Sequence, residues 1–111
     1  MRKIFLACPY SHADANVVHQ RFIACNDVAA AIVRAGNAVF SQVSMSHPIN
    51  LCLQDLDKTA IGTLFMAAMD ELIVLDLPGW QESGGIKREM DAFAARGCRV
   101  SLWSEVAGEF N

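Results

Sequence analysis

Apolar and polar positions alternate along this chain in blocks that read strand, helix, strand, helix, strand, helix, strand. Residues 3–8 are almost continuously apolar, as suits a strand buried on both faces of a parallel sheet. Pro9-Tyr10-Ser11-His12 ends that run. Over residues 15–35, Val18, Phe22, Cys25, Val28, Ala29, Ile32 and Val33 recur at helical steps, with Asp14 or Asn16 to cap the start and Gly36 to stop the end. Residues 38–41 predict a short second strand, and 42–50 a polar loop holding Ser44, Ser46, His47 and Pro48. A second helix is expected over about 53–69, its stripe made of Leu56, Ala60, Ile61, Leu64, Phe65, Ala68 and Met69. Gly62 weakens it by roughly 1 kcal/mol relative to alanine, and Phe65, Met66 and Met69 read as core. Residues 71–77 predict the third strand. A glycine-marked loop follows, then a helix to about Arg96 closed by Gly97, a last strand over 98–103 and a tail.

This order predicts one α/β domain over residues 1–111, a small doubly wound parallel sheet with helices on both faces. The expected strand order is 2-1-3-4, as in flavodoxin-like sheets. Ligands of such sheets bind beyond the carboxyl ends of the strands, at the switch point. Here that is the space between the loops at 9–12 and 78–83.

The second of these loops, with the helix behind it, carries the strongest candidate chemistry. Ser83 is a good N-cap. Gly84 and Gly85 let a ligand approach the backbone, and free N–H groups at a helix start favour an anion. Ile86, Met90, Phe93, Ala94 and Gly97 form the apolar stripe of that helix, while Lys87, Arg88 and Asp91 are expected to point elsewhere. Glu89 borders the stripe, about a turn and a half into the helix. There it is either a solvated glutamate or a carboxylate at a pocket wall, able to act as nucleophile or base.

Composition narrows the function classes. The 111 residues carry a formal charge of −3, which argues against binding a nucleic-acid polymer. No apolar run reaches bilayer-spanning length, so no membrane partner is expected. The cysteines Cys8, Cys25, Cys52 and Cys98 are widely spaced without a CxxC pair, which predicts free thiols and a cytoplasmic protein. No cluster has metal-ligand spacing, so neither a metal nor another cofactor is expected. A small chain that is 53% apolar also predicts a homo-oligomer. Among single residues, His47 is a surface histidine or one at the edge of the site. His12 has a weaker claim, and His19 reads as solvated. Arg21 could reach a phosphate or pair with an acid, and Trp80 could stack a base or serve as a packing lid.

Leu6-Ala7-Cys8-Pro9-Tyr10-Ser11, and Ser83-x-Gly85-x-x-x-Glu89 entered from Asp70-Glu71-Leu72-Ile73-Val74-Leu75, resemble the motifs of the nucleoside 2-deoxyribosyltransferase-like superfamily. Arg21-Phe22, Phe40-Ser41, Ser46-His47-Pro48-Ile49 and Leu77-Pro78-Gly79-Trp80 are similar to a small bacterial and phage family of unknown function beside it. The resemblance implies a nucleoside or nucleotide N-glycosidase, or a deoxyribosyltransferase. Its partner would be a small-molecule nucleoside or nucleotide, and its catalytic residues Glu89 and Tyr10. Glu89 would attack the anomeric carbon, and Tyr10 would position nucleophile and sugar. Ser83, Gly84, Gly85, Ser11, His47, Trp80 and Arg21 would bind substrate. Serine at position 83 leans toward a 5′-phosphorylated one. The superfamily enzymes also carry an aspartate, in the helix before strand 3, that assists base departure. Gly62 stands at that position, and Asp55 and Asp57 lie earlier. A noncatalytic nucleotide-binding or sensing domain that has lost the acid is therefore the alternative. A phosphoribohydrolase with a PGGxGTxxE loop is a third reading, echoed only by Pro78-Gly79 and Glu89.

Overall fold

The computed structural model describes residues 1–53 and 59–111. Its sheet is built from β1 (Lys3–Ala7), β2 (Ala38–Ser41), β3 (Glu71–Val74) and β4 (Arg99–Leu102). The order is β2-β1-β3-β4 with every neighbouring pair parallel, as the sequence pattern predicts.

Side chains of β1 alternate between two cores, following the period-two geometry of a strand. Ile4 and Leu6 join Cys25 and Ile32 of α1 (Ala15–Arg34), together with Ile73, Val106 and Phe110. Phe5 and Ala7 join Leu72, Val74 and, from α4 (Gly84–Ala95), Ile86 and Phe93. A strand flanked on both sides has no polar face to spare, hence its unbroken apolar run.

Three expectations change. Residues 42–50 are not a loop but lie in helix α2 (Gln42–Cys52), with Pro48 inside it. Serine, histidine and proline are poor helix formers. Tertiary contacts override that preference here: Val43 and His47, one turn apart, are both buried, and the Ser44 hydroxyl donates to Asn26 Oδ1. The second expected helix appears as α3 (Thr59–Ala68); Asp55, Leu56 and Asp57 lie outside the described residues. Its stripe is not core either. Ile61, Leu64 and Phe65 are exposed, and Phe65 stacks flat on Phe40 with ring centroids 4.0 Å apart. Only Met66 and Met69 reach the second core. Finally, the tail forms α5 (Trp103–Val106) and a 3-10 turn, Ala107–Phe110, which bury Val106 and Phe110.

Arg2 fastens this tail to the sheet. Its Nε and Nη2 donate to the two oxygens of Glu71 at 2.7 and 3.1 Å, Nη1 lies 3.1 Å from Glu109, and the guanidinium sits 4.6 Å from the Phe110 ring centre. Glu71 is 8% exposed. Arg2→Ala strands that carboxylate and is expected to cost about 2–3 kcal/mol, below the full penalty for a buried pair because Arg2 itself is partly solvated. The shift in urea midpoint measures it. A shift no larger than that of the exposed Arg99→Ala would show that Glu71 finds water instead.

Candidate functional site

A cleft of about 580 Å³ opens beyond the carboxyl ends of β1 and β3. Its walls come from the loop after β1 (Cys8 to Ser11), one face of α2, Thr59, and the glycine loop running into α4. The topology creates this opening, because the chain leaves β1 and β3 toward opposite faces of the sheet.

Glu89 forms part of the wall. Its Oε2 is buried and has no hydrogen-bond partner among the described residues. Burial pushes its pKa up to about 7, against a smaller opposing pull from the Arg88 charge. Oε2 is thus a buried acceptor that the described residues leave unfilled, on a group that is costly to keep charged.

The start of α4 is built around Ser83, whose Oγ accepts from the Ile86 N–H at 3.2 Å. Ser83, Gly84 and Gly85 all line the cleft. Ser83→Ala removes the cap and is expected to cost about 1 kcal/mol, readable in thermal or urea unfolding. No loss would mean that water or another residue caps the helix equally well.

Gly79 is required twice over. Its φ is +90°, and a Cβ there would lie 3.1 Å from Arg21 Nη2. Arg21 reaches that place because it ties the two loops together: Nη1 donates to the carbonyls of Ser11 and Tyr10 at 3.1 and 3.4 Å, and Nη2 to that of Pro78 at 3.1 Å. Its donors hold backbone.

Of the residues singled out from sequence, Glu89, Tyr10, Ser11, Ser83, Gly84 and Gly85 meet in the cleft. Arg21, Trp80 and His47 lie behind it. Trp80 packs on the Phe5–Phe93 core. His47, 9% exposed, stands under Tyr10, with Nδ1 2.7 Å from the phenolic oxygen. Asn50 Nδ2 donates to the same oxygen at 3.3 Å.

Among the lining residues that escaped the sequence reading are Gln42, Asn50, Glu82 and Arg88. The signal for two of them was present. Gln42, Ser46 and Asn50 recur every fourth residue, the polar face of a helix. Arg88 does not point away as expected. Its guanidinium lies over the start of its own helix, where Cβ atoms built on Gly84 and Gly85 would be 3.6 and 3.8 Å from it.

Gly62 also bears on the site. A narrow extension of the cleft is lined by Gly62, Gln42, Arg88 and Glu89. A Cβ on Gly62 would meet the Gln42 amide nitrogen at 3.1 Å. The glycine thus makes room for a neutral carboxamide on the Glu89 side.

Cys8 lines the cleft as well. Its Sγ donates to the carbonyls of Pro9 and Arg21 at 3.3 and 3.8 Å. The neighbouring Cys25 and burial push the Cys8 thiol pKa up, while Cys25, whose Sγ lies 3.0 Å from Ser41 Oγ, is pulled down by Cys8 and by Ser41 and Ser44. Both thiols are free, as are Cys52 and Cys98.

Residues 2–105 match the model of a family described as a domain of unknown function (DUF1937). The chain belongs to that family. A comparison with curated proteins finds no match. The shared domain is thus the whole sheet together with both loops of the cleft, so the Glu89 wall is built within it. Among the described residues no helix is long and apolar enough to cross a membrane, and no group of three or more His, Cys, Asp or Glu could hold a metal ion.

Proposed function

We propose that this domain is a nucleoside or nucleotide N-glycosidase, or a 2-deoxyribosyltransferase, working through Glu89. The observation that carries this reading is the Glu89 carboxyl itself: set in the cleft wall, its Oε2 buried without a partner among the described residues, and raised toward neutrality. Ionised Glu89 attacks the anomeric carbon as the base leaves. Water, or a second base, then releases the sugar from the glutamyl ester, as in retaining glycosidases. Arg88 and the capped start of α4 offer a cation and N–H donors to a 5′-phosphate. The order of motifs in the sequence, which resembles the nucleoside 2-deoxyribosyltransferase-like superfamily, supports the same assignment.

Gly62 favours a second reading. With a carboxamide rather than an acid on that side of Glu89, the pocket is suited to hold a nucleotide without cleaving it. Against this, Glu82 brings a second carboxyl to the lining.

Incubation with a panel of deoxynucleosides and their monophosphates, with chromatography for free base, tests the proposal. Release by the parent chain and none by Glu89→Ala supports the enzyme. Binding without release in both leaves the sensor.

A further inference from the structure

The hydroxyl of Tyr10 is engaged from behind in a way that the glutamate chemistry does not require. Tyr10 lines the cleft with Glu89. The His47 ring meets it edge-on, at 5.6 Å between centroids, and packs against Phe22 at 4.7 Å. The imidazole is thus held on two sides, with Nδ1 2.7 Å from the phenolic oxygen. A phenol offers one proton and two lone pairs. Asn50 takes one lone pair by donating Nδ2 at 3.3 Å. When Nδ1 is bare, the phenolic proton goes to it and the other lone pair is left for the cleft. When Nδ1 carries a proton, it takes that lone pair and the phenolic proton is free for the cleft. The proton on His47 therefore decides whether Tyr10 accepts from a ligand or donates to it.

We propose that Tyr10 and His47 form a proton relay, Tyr10 as the catalytic residue that touches the ligand and His47 as the positioning residue that stores the proton. The proposal rests on the glycosidase reading given above. In the first step the bond from the anomeric carbon to the base nitrogen breaks, and its electron pair stays on the base. A Glu89 oxygen bonds to the carbon. The base nitrogen takes the phenolic proton as Tyr10 takes the proton of Nδ1, leaving His47 neutral. In the second step water bonds to the anomeric carbon and Glu89 departs as carboxylate. Tyr10 takes the water proton as its own returns to Nδ1, and the starting state is restored. The relay supplies the acid that a glycine at position 62 does not.

His47→Asn separates the relay from a scaffold. Asparagine keeps a hydrogen-bonding group near the place of Nδ1 but cannot take up a proton. Base release is measured for the parent, Tyr10→Phe, His47→Asn and the double variant, with near-UV circular dichroism as the check on folding. The relay predicts that both single variants lose about 10²- to 10³-fold in kcat with KM little moved. It also predicts that the double variant loses no more than either, because the two act as one unit. His47→Asn within a few-fold of the parent, with Tyr10→Phe impaired, overturns the relay. If the parent releases no base, the glycosidase reading falls on that ground alone. The relay is then decided by the imidazole ¹⁵N spectrum of the full chain. A His47 Nδ1 resonance that moves on Tyr10→Phe, while those of His12 and His19 stay, supports it. An unmoved Nδ1 overturns it.

Discussion

Glu89→Gln is expected to make the protein inert in base release and, at the same time, more stable above neutrality. The two effects share one cause. Burial raises the carboxyl from 4.5 to about 7, so the folded chain resists its ionisation. Between those values the folded state holds more protons than the unfolded state, and stability falls as pH rises through the window. Above it the loss is complete, on the order of 3 kcal/mol. Glutamine never ionises, so the variant escapes the loss. Its amide still needs hydrogen bonds in the same place, which returns about 1–3 kcal/mol. A net gain near 1 kcal/mol at pH 8, and none or a small deficit at pH 4, is the expected pattern in urea midpoints. The nucleophile is gone, so base release should drop by roughly 10⁴ or more. In the parent, base release should rise with pH through about 7 as Glu89 ionises. A variant less stable than the parent at pH 8 would mean that partners compensate the charge. Glu89 would then be an ordinary structural acid, and the functional reading would lose its anchor.

The frame of this site was legible in the sequence because burial on both faces leaves an unmistakable pattern. The runs around Phe5 and Ile73 could be little else than central parallel strands, and short crossovers then fixed the order. The switch point followed, and with it Tyr10, Ser83 and Glu89. What escaped was structure decided by contacts rather than by pattern. Helix α2 carries Ser44, His47 and Pro48, whose propensities argue for a loop; the burial of Val43 and His47 and the hydrogen bond from Ser44 to Asn26 make it a helix. Arg88 is one residue from Glu89 and on paper faces elsewhere, but its side chain is long enough to fold back over the glycines. In α3 the error ran the other way. Ile61, Leu64 and Phe65 have the spacing of a buried stripe, yet all three are exposed, Leu64 most of all. Periodicity reports that a face is apolar; it does not report what covers it.

Phe93→Ala is expected to have the largest effect on folding, about 3–5 kcal/mol, the range for emptying a buried aromatic site. Phe93 is fully buried, its ring 5.9 Å from Phe5 by centroid, with the Arg96 guanidinium 5.3 Å away on its outer side. Little can collapse into the space. Phe5 is held in β1 between two strands, and Arg96 is committed to the carbonyls of Met66 and Met69 at 2.8 and 3.0 Å. A domain of this size has roughly 5–15 kcal/mol to lose. Function should suffer beyond the folded fraction. Phe93 lies four residues after Glu89 on the same helix, and with Ile86 it sets how deeply α4 seats on the sheet. Ligand affinity of the folded variant, read at a temperature where it remains native, should therefore fall along with the urea midpoint. Ala94→Gly is the comparison: Ala94 is exposed on α4, and its change should cost about 1 kcal/mol through helix propensity alone. If Phe93→Ala cost no more than that, α4 would not be held by its aromatic anchor, and the position of Glu89 at the cleft wall would need another cause.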